Sequence, residues 1–204
     1  MKNILFEMKK SGRLIKDEEF DDLFYNTFDN MRKQFTKLEV EQYYKCDMDE
    51  DYNRYINGNY DHLIDTFKDF FKLWPSIFMK KQNIDIKRLH LITKPNTKYI
   101  DYEMYFYLMN EKAGEKVRCL YFEDTNYKLG ELDDFIIFDE DIVIINCHKN
   151  NGEYLYSYYY DKDKALIRNL LKKYKDIYEK GNDYKNFIKF DEKLIEQMKN
   201  NDLI

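Results

Sequence analysis

The chain has 204 residues, of which 44% are apolar and 18% aromatic, with 20 Tyr and 15 Phe. That much large apolar surface excludes a disordered chain despite 36% charged residues, and six glycines and two prolines argue against a loop-rich or all-β protein. The net charge of −5 supplies no concentrated positive surface, so direct nucleic-acid binding is not expected.

Residues 1–16 carry no firm pattern. From Asp17, the apolar positions Phe20, Leu23, Phe24, Phe28, Met31, Phe35 and Leu38 recur at helical spacing and predict one amphipathic helix reaching about Tyr43, with Asp17 as its cap. The acidic run Cys46–Asp51 reads as a turn, and a short helix then ends at Asn57-Gly58. Asp61 opens a second long helix with Leu63, Phe67, Phe70, Phe71, Trp74 and Phe78 on its apolar side; Pro75 should kink it or begin a new turn. Ile84–Thr93 alternates as a strand. Thr97 caps a helix to about Lys112, Ala113-Gly114 closes it, and Lys116–Phe122 returns as a strand. Strand, helix, strand implies a parallel right-handed crossover. After a loop containing Gly130 comes a meander: Phe135–Phe138, the turn Asp139–Asp141, Ile142–Cys147, the hairpin turn Asn150-Asn151-Gly152, and Glu153–Tyr160. Asp161 caps a helix that presents Ala165, Leu166, Leu170, Tyr174 and Ile177 inward and stops at Gly181. A last helix near Asp191–Lys199 reads as peripheral.

The expected fold class is therefore α+β (or α/β): a mixed sheet of about five strands with a βαβ crossover, N-terminal helices and a packed C-terminal helix. Residues 1–83 form an N-terminal helical region, 84–181 the α/β core and 182–204 a C-terminal helical appendage, within a single domain.

Two runs carry a resemblance. Arg88-Leu-His-Leu-Ile-Thr-Lys-Pro95 with Tyr99, Tyr102 and Glu103, and Ala113-Gly-Glu-Lys-Val-Arg118 with Asp134–Asp139, resemble an uncharacterised bacterial domain family. Its members often sit beside helix-turn-helix regulators, mostly in Gram-positive bacteria, so the resemblance implies a fold and a genomic habit and no reaction. The second half is also similar, more faintly, to half of a phospholipase D-like phosphodiesterase domain. Such domains carry a His-x-Lys motif with an Asp five residues after the Lys. Aligning on Asp139 places Leu132 and Asp134 at the His and Lys positions. Leu cannot act as a nucleophile, and Asp would repel the phosphate that Lys holds, so the resemblance implies a catalytically empty copy.

The residues themselves point the same way. There is no GxGxxG, no phosphate loop and no HExxH, and the histidines at 62, 90 and 148 show no metal-ligand spacing, so neither cofactor nor metal is expected. Cys46, Cys119 and Cys147 are odd in number without CxxC spacing; Cys119 and Cys147 read as buried, reduced core residues. Met1–Met8 is too short and polar for a signal peptide, and no apolar run reaches membrane-spanning length, so a cytoplasmic protein is expected.

One polar constellation stands out: Arg88, Tyr99, Tyr102, Glu103, Glu115 and Arg118. The two arginines lie on the strands flanking the crossover helix, and Glu103 lies within it. The bland reading is an Arg–Glu pair that locks helix to sheet; the functional one is a pocket whose arginines hold phosphate or carboxylate. His90, opposite Leu89 and Leu91, could line that pocket at the strand's C-terminal end. His148 reads as an exposed turn histidine. Tyr154, Tyr156 and Tyr158, with Tyr159 and Tyr160, could form a stacking platform or partner surface; packing under the last helix is the plainer alternative.

No catalytic set is complete. The leading expectation is a non-catalytic regulatory or interaction module that binds a protein partner or a small anionic ligand. A phosphodiesterase or nucleotide-acting enzyme is the second, and a mobile-element protein that modulates a host defence system the third.

Overall fold

The computed structural model describes residues 1–45, 49–60, 62–73, 75–79, 81 and 83–204. In chain order the elements are α1 (Lys2–Ser11), β1 (Arg13–Ile15), α2 (Asp17–Asn30), β2 (Gln34–Glu39), α3 (Asp49–Ile56), α4 (Leu63–Leu73), α5 (Pro75–Met79) and β3 (Asp85–Ile92). There follow α6 (Lys98–Lys112), β4 (Lys116–Tyr121), β5 (Asp134–Phe138), β6 (Ile142–His148), β7 (Tyr154–Tyr160), α7 (Lys164–Tyr178), β8 (Asn182–Asp183) and α8 (Glu192–Asn200).

The strands form a single eight-stranded sheet in the order β1-β7-β6-β5-β2-β3-β4-β8. The β3–α6–β4 unit is the parallel crossover, and β5, β6 and β7 are the antiparallel meander. β2 joins these halves, pairing parallel to β3 and antiparallel to β5.

Side-chain alternation splits the core between the two faces of the sheet. On one face Leu38, Leu89, Leu91, Phe135, Val143 and Ile145 meet Leu5 and Met8 of α1 and Leu170 and Tyr174 of α7. On the other, Phe35, Ile86, Ile136, Phe138 and Ile144 meet Phe24 and Phe28 of α2 and Phe78 of α5. α6 is covered on both sides. Its Ile100, Met104 and Tyr107 pack on the sheet, while Tyr105, Phe106 and Met109 meet Leu63 and Phe67 of α4 and Leu194 and Met198 of α8. A helix enclosed in this way is apolar around its circumference, which accounts for the aromatic density of the crossover.

Three expectations are corrected. The helix predicted from Asp17 to Tyr43 stops at Asn30, and Gln34–Glu39 is a strand in the middle of the sheet. Phe35 and Leu38 fit helical spacing, but Phe35, Lys37 and Glu39 share one face of β2 and Thr36, Leu38 and Val40 the other. The cause of the stop is tertiary. Met31 turns to an extended conformation, and the Asp139 carboxylate accepts from the backbone N–H groups of Arg32, Lys33 and Gln34 at 2.7, 2.6 and 3.0 Å. Second, residues 1–16 are ordered as α1 and β1, which together with β2 and β8 raise the sheet from about five strands to eight. Third, the last helix is packed rather than peripheral: Leu194 and Met198 are fully buried.

Of the expected caps, Thr97 holds, whereas Asp17 is the first residue inside α2, which Lys16 precedes without a side-chain cap. The Thr97 hydroxyl accepts from the Ile100 N–H, and α5 begins at Pro75. Asp163, not Asp161, caps α7. The expected cap Asp61, Trp74 on the apolar side of its helix, and residues 46–48 of the expected turn lie outside the described residues, while Asp49 to Asp51 open α3 rather than a turn.

Candidate functional site

On the α2/α6 side of the sheet, the apolar layer is interrupted. Register places Lys37 beside Arg88 and Glu39 beside His90, so four polar side chains point from the central strands toward α6. Arg88 is held at both ends, with Nε donating to Glu115 Oε1 at 3.0 Å and Nη1 to Glu39 Oε1 at 2.7 Å, and its guanidinium stacks over the Tyr107 ring. Lys37 Nζ adds a second cation 2.6 Å from Glu39 Oε1. Burial pushes the Glu39 carboxyl up, but Arg88, Lys37 and His90 outweigh it and hold Glu39 well below the usual carboxylate range.

His90 is fully buried. Its Nε2 lies 2.8 Å from the Glu41 carbonyl oxygen, which only an N–H can satisfy, and its Nδ1 lies 2.6 Å from the Tyr107 hydroxyl. Burial lowers the imidazole's pKa against the pull of Glu39; Nε2 carries a proton toward the Glu41 carbonyl and Nδ1 faces Tyr107. The Tyr107 hydroxyl donates its one proton to Glu39 Oε2 at 3.0 Å. Glu103 approaches from α6, its Oε2 3.7 Å from His90 Nδ1. That oxygen is buried without a hydrogen-bond partner. Burial and the charges of Glu39 and Asp134 raise the Glu103 carboxyl well above its ordinary value, against the pull of Arg88 and Lys37.

A second acid sits at the start of β5. Asp134 accepts from the Val40 N–H at 2.7 Å and the Tyr44 hydroxyl at 2.6 Å, while burial and Glu39 push its pKa up to about 6. His148 lies 4.0 Å from it, its side chain 7% exposed. It is thus not the exposed turn histidine expected from sequence: the register shift between Cys147 and His148 turns it inward at the end of β6, and burial lowers its pKa to about 4. The same shift separates the tyrosines. Tyr154 leans onto Phe20 and His148, whereas Tyr158 packs toward the α1/α7 core with Tyr156 beside it.

Above this charge layer lies a cavity of about 490 Å³. Lys37, Glu39, Arg88, Glu103 and Tyr107 form its polar side; Phe20 and Phe24 of α2, Phe70 of α4, and Tyr99, Tyr102 and Phe106 of α6 supply aromatic walls. Asn110 also lines it, its Oδ1 buried without a hydrogen-bond partner. His90 is not among the lining residues.

Of the residues singled out in the sequence, Arg88, Tyr99, Tyr102 and Glu103 meet at this cavity, with His90 directly behind. Arg118 does not join them. Its neighbour in register is Leu89, so it points to the opposite face, where it stacks over Tyr178, donates to the Tyr178 carbonyl at 3.0 Å and meets Glu179. The buried partners of Arg88 are Glu39 and Glu115 rather than Glu103. Lys37, Glu39, Tyr44, Tyr107 and Asn110 escaped sequence reading, and Asp134 was named there only at a motif position. The first two carried a legible signal in the strict alternation of Phe35, Lys37 and Glu39; the others depend on long-range packing. Among the described residues, ligand atoms of Glu39, His90 and Glu103 lie within 4.8 Å of one another, a spacing compatible with a metal ion. An ion there would compete with Arg88 and Lys37 for Glu39 and with Tyr107 for His90.

The fold has known counterparts. The phospholipase D family member Nuc from Salmonella typhimurium superposes with a TM-score of 0.51 at 14% identity, over 85% of this chain and 97% of that one. NucT from Helicobacter pylori gives 0.47 at 14% identity, over 84% and 97%, and the phosphatidylserine synthase of Haemophilus influenzae Rd KW20 gives 0.45 at 11%, over 90% and 43%. The likeness to Nuc concerns the fold; the two positions at which the sequence resemblance sought a His and a Lys, Leu132 and Asp134, are both buried. No curated protein sequence matches the chain. A family model matches residues 21–189, and the chain belongs to that family, described as a domain of unknown function (DUF6879).

Proposed function

We propose that the protein is a non-catalytic small-molecule-binding module with a phospholipase D-like fold, of the regulatory kind that the sequence suggested. The observation that carries this reading is the separation of His90 from the cavity. The ring stands behind Glu39, Glu103 and Tyr107, with Nδ1 and Nε2 engaged by a hydroxyl and a carbonyl. A phosphodiesterase histidine must offer a lone pair to phosphorus, and this one offers none to the cavity. The cations are similarly committed: Arg88 bridges two buried glutamates and Lys37 pairs with one of them. What faces the empty volume is an aromatic enclosure of ordinary ligand-pocket size with a few fixed polar groups.

A phosphodiester-acting enzyme is the second reading, favoured by the likeness to Nuc. The two separate in one experiment. Thermal denaturation is followed across a panel of small metabolites, in parallel with hydrolysis of bis(p-nitrophenyl) phosphate. The binding reading expects a saturable rise in melting temperature that Ile136→Trp, which fills the cavity, abolishes, and no turnover above that of His90→Ala. Turnover that disappears in His90→Ala, or a panel with no stabilising compound, would overturn it.

A further inference from the structure

The chemistry of the ligand follows from what the cavity leaves unsatisfied, given that it is a binding pocket. Lys37 and Arg88 are matched by Glu39 and Glu115, so the cationic side of the cluster is already neutralised. Left over are acceptors. Glu103 Oε2 and Asn110 Oδ1 are buried, unpartnered and on lining residues of one helix. Burying a carboxylate oxygen and an amide oxygen without donors is unfavourable, and each is the complement of a ligand N–H. Between them on the same stripe of α6 stand Phe106 and Tyr107, and the facing walls are rings whose π faces attract cations.

We propose that the cavity takes an elongated, planar organic cation with N–H donors at both ends, of the amidinium class, with Glu103 as its counter-ion and Asn110 Oδ1 as the second acceptor. Seven residues of helix set the backbones of Glu103 and Asn110 about 10 Å apart, roughly the length of a biphenyl. An anionic ligand would instead bring its charge against Glu39 and Glu103 while finding Lys37 and Arg88 already paired.

Binding is proton-linked. Glu103 faces Lys37 and Glu39 from β2, Arg88 and His90 from β3, Tyr107 on its own helix and Asp134 from β5. Burial first, and then the charges of Glu39 and Asp134, raise its carboxyl well above the ordinary value, against Arg88 and Lys37. An amidinium beside it lowers that value, so forming the ion pair favours release of a proton to bulk solvent.

The test uses the full chain and three isosteres: 4-(4-aminophenyl)benzamidine, the corresponding benzamide and the corresponding benzoate. Titration calorimetry at pH 7 in two buffers of different ionisation enthalpy reads affinity and protons released. The amidine is expected to bind at least about tenfold tighter than either isostere and to release protons where they do not. Glu103→Gln should lose both the preference and the proton release while still binding the benzamide. Asn110→Leu should weaken amidine binding and keep the proton release. Equal affinity for all three probes, or tighter benzoate binding, would sink the cationic assignment and leave the pocket reading intact. Failure of all three to bind would sink the cationic assignment, while the pocket reading stands or falls on the metabolite panel.

Discussion

Replacing Arg88 by Met tests whether the charge layer braces the sheet. The guanidinium joins Glu39 of β2 to Glu115 at the entry to β4, and all three side chains are nearly inaccessible, at 11%, 3% and 0% exposure. Removing the cation leaves two buried carboxylates. Breaking a buried pair in this way costs about 3–5 kcal/mol, because the stranded charge keeps its desolvation penalty. Lys37 still serves Glu39, so the lower end, about 3 kcal/mol, applies. For a chain of this size that lowers the melting temperature by roughly 6–12 °C. The triple variant Arg88→Met, Glu39→Gln, Glu115→Gln removes the stranded charges together and should recover about 2 kcal/mol relative to the single change. Urea denaturation and calorimetry of the four proteins, wild type, Arg88→Met, the double glutamine variant and the triple, give the comparison. A single variant within about 1 kcal/mol of wild type, or a triple no more stable than the single, would refute the idea that desolvated charge dominates this layer.

Asp134 should make stability fall as pH rises. Its folded pKa, about 6, lies above the ordinary 3.8, so the native state holds the proton more tightly; the contribution is fully present below about pH 4, is lost through pH 6, and amounts to up to about 3 kcal/mol. In Asp134→Asn the pH 4–7 slope of denaturation free energy should flatten, and an unchanged slope would exclude Asp134 as its source. Asp139→Ala should cost about 2 kcal/mol in urea denaturation by releasing the three N–H groups that redirect the chain into β2, with Asp139→Asn costing less because one amide oxygen still accepts. At Gly152, φ is +77° and a Cβ would collide with the Tyr43 carbonyl, so Gly152→Ala should cost more than the about 1–2 kcal/mol of left-handed strain alone, whereas Asn151→Ala beside it should cost less than about 1 kcal/mol.

Local chemistry settled much of this protein. Thr97 before the crossover helix, the Asn150-Asn151-Gly152 turn, and the apolar runs of β3 to β6 each act over a few residues, and each was legible from sequence. Arg88, His90 and Glu103 were legible too, because charged groups on an apolar strand and its crossover helix require partners. The partners themselves were not, because nothing near Arg88 in sequence names Glu39, 49 residues earlier. The end of α2 was illegible for the same reason. No glycine or proline marks it, and the groups that stop it are oxygens of Asp139, more than a hundred residues away. Short-range rules decide which segments become helix or strand; burial decides which charges must find one another, and only the assembled sheet brings Lys37 and Glu39 beneath α6, turns Arg118 to the far side and leaves Glu103 facing an empty space.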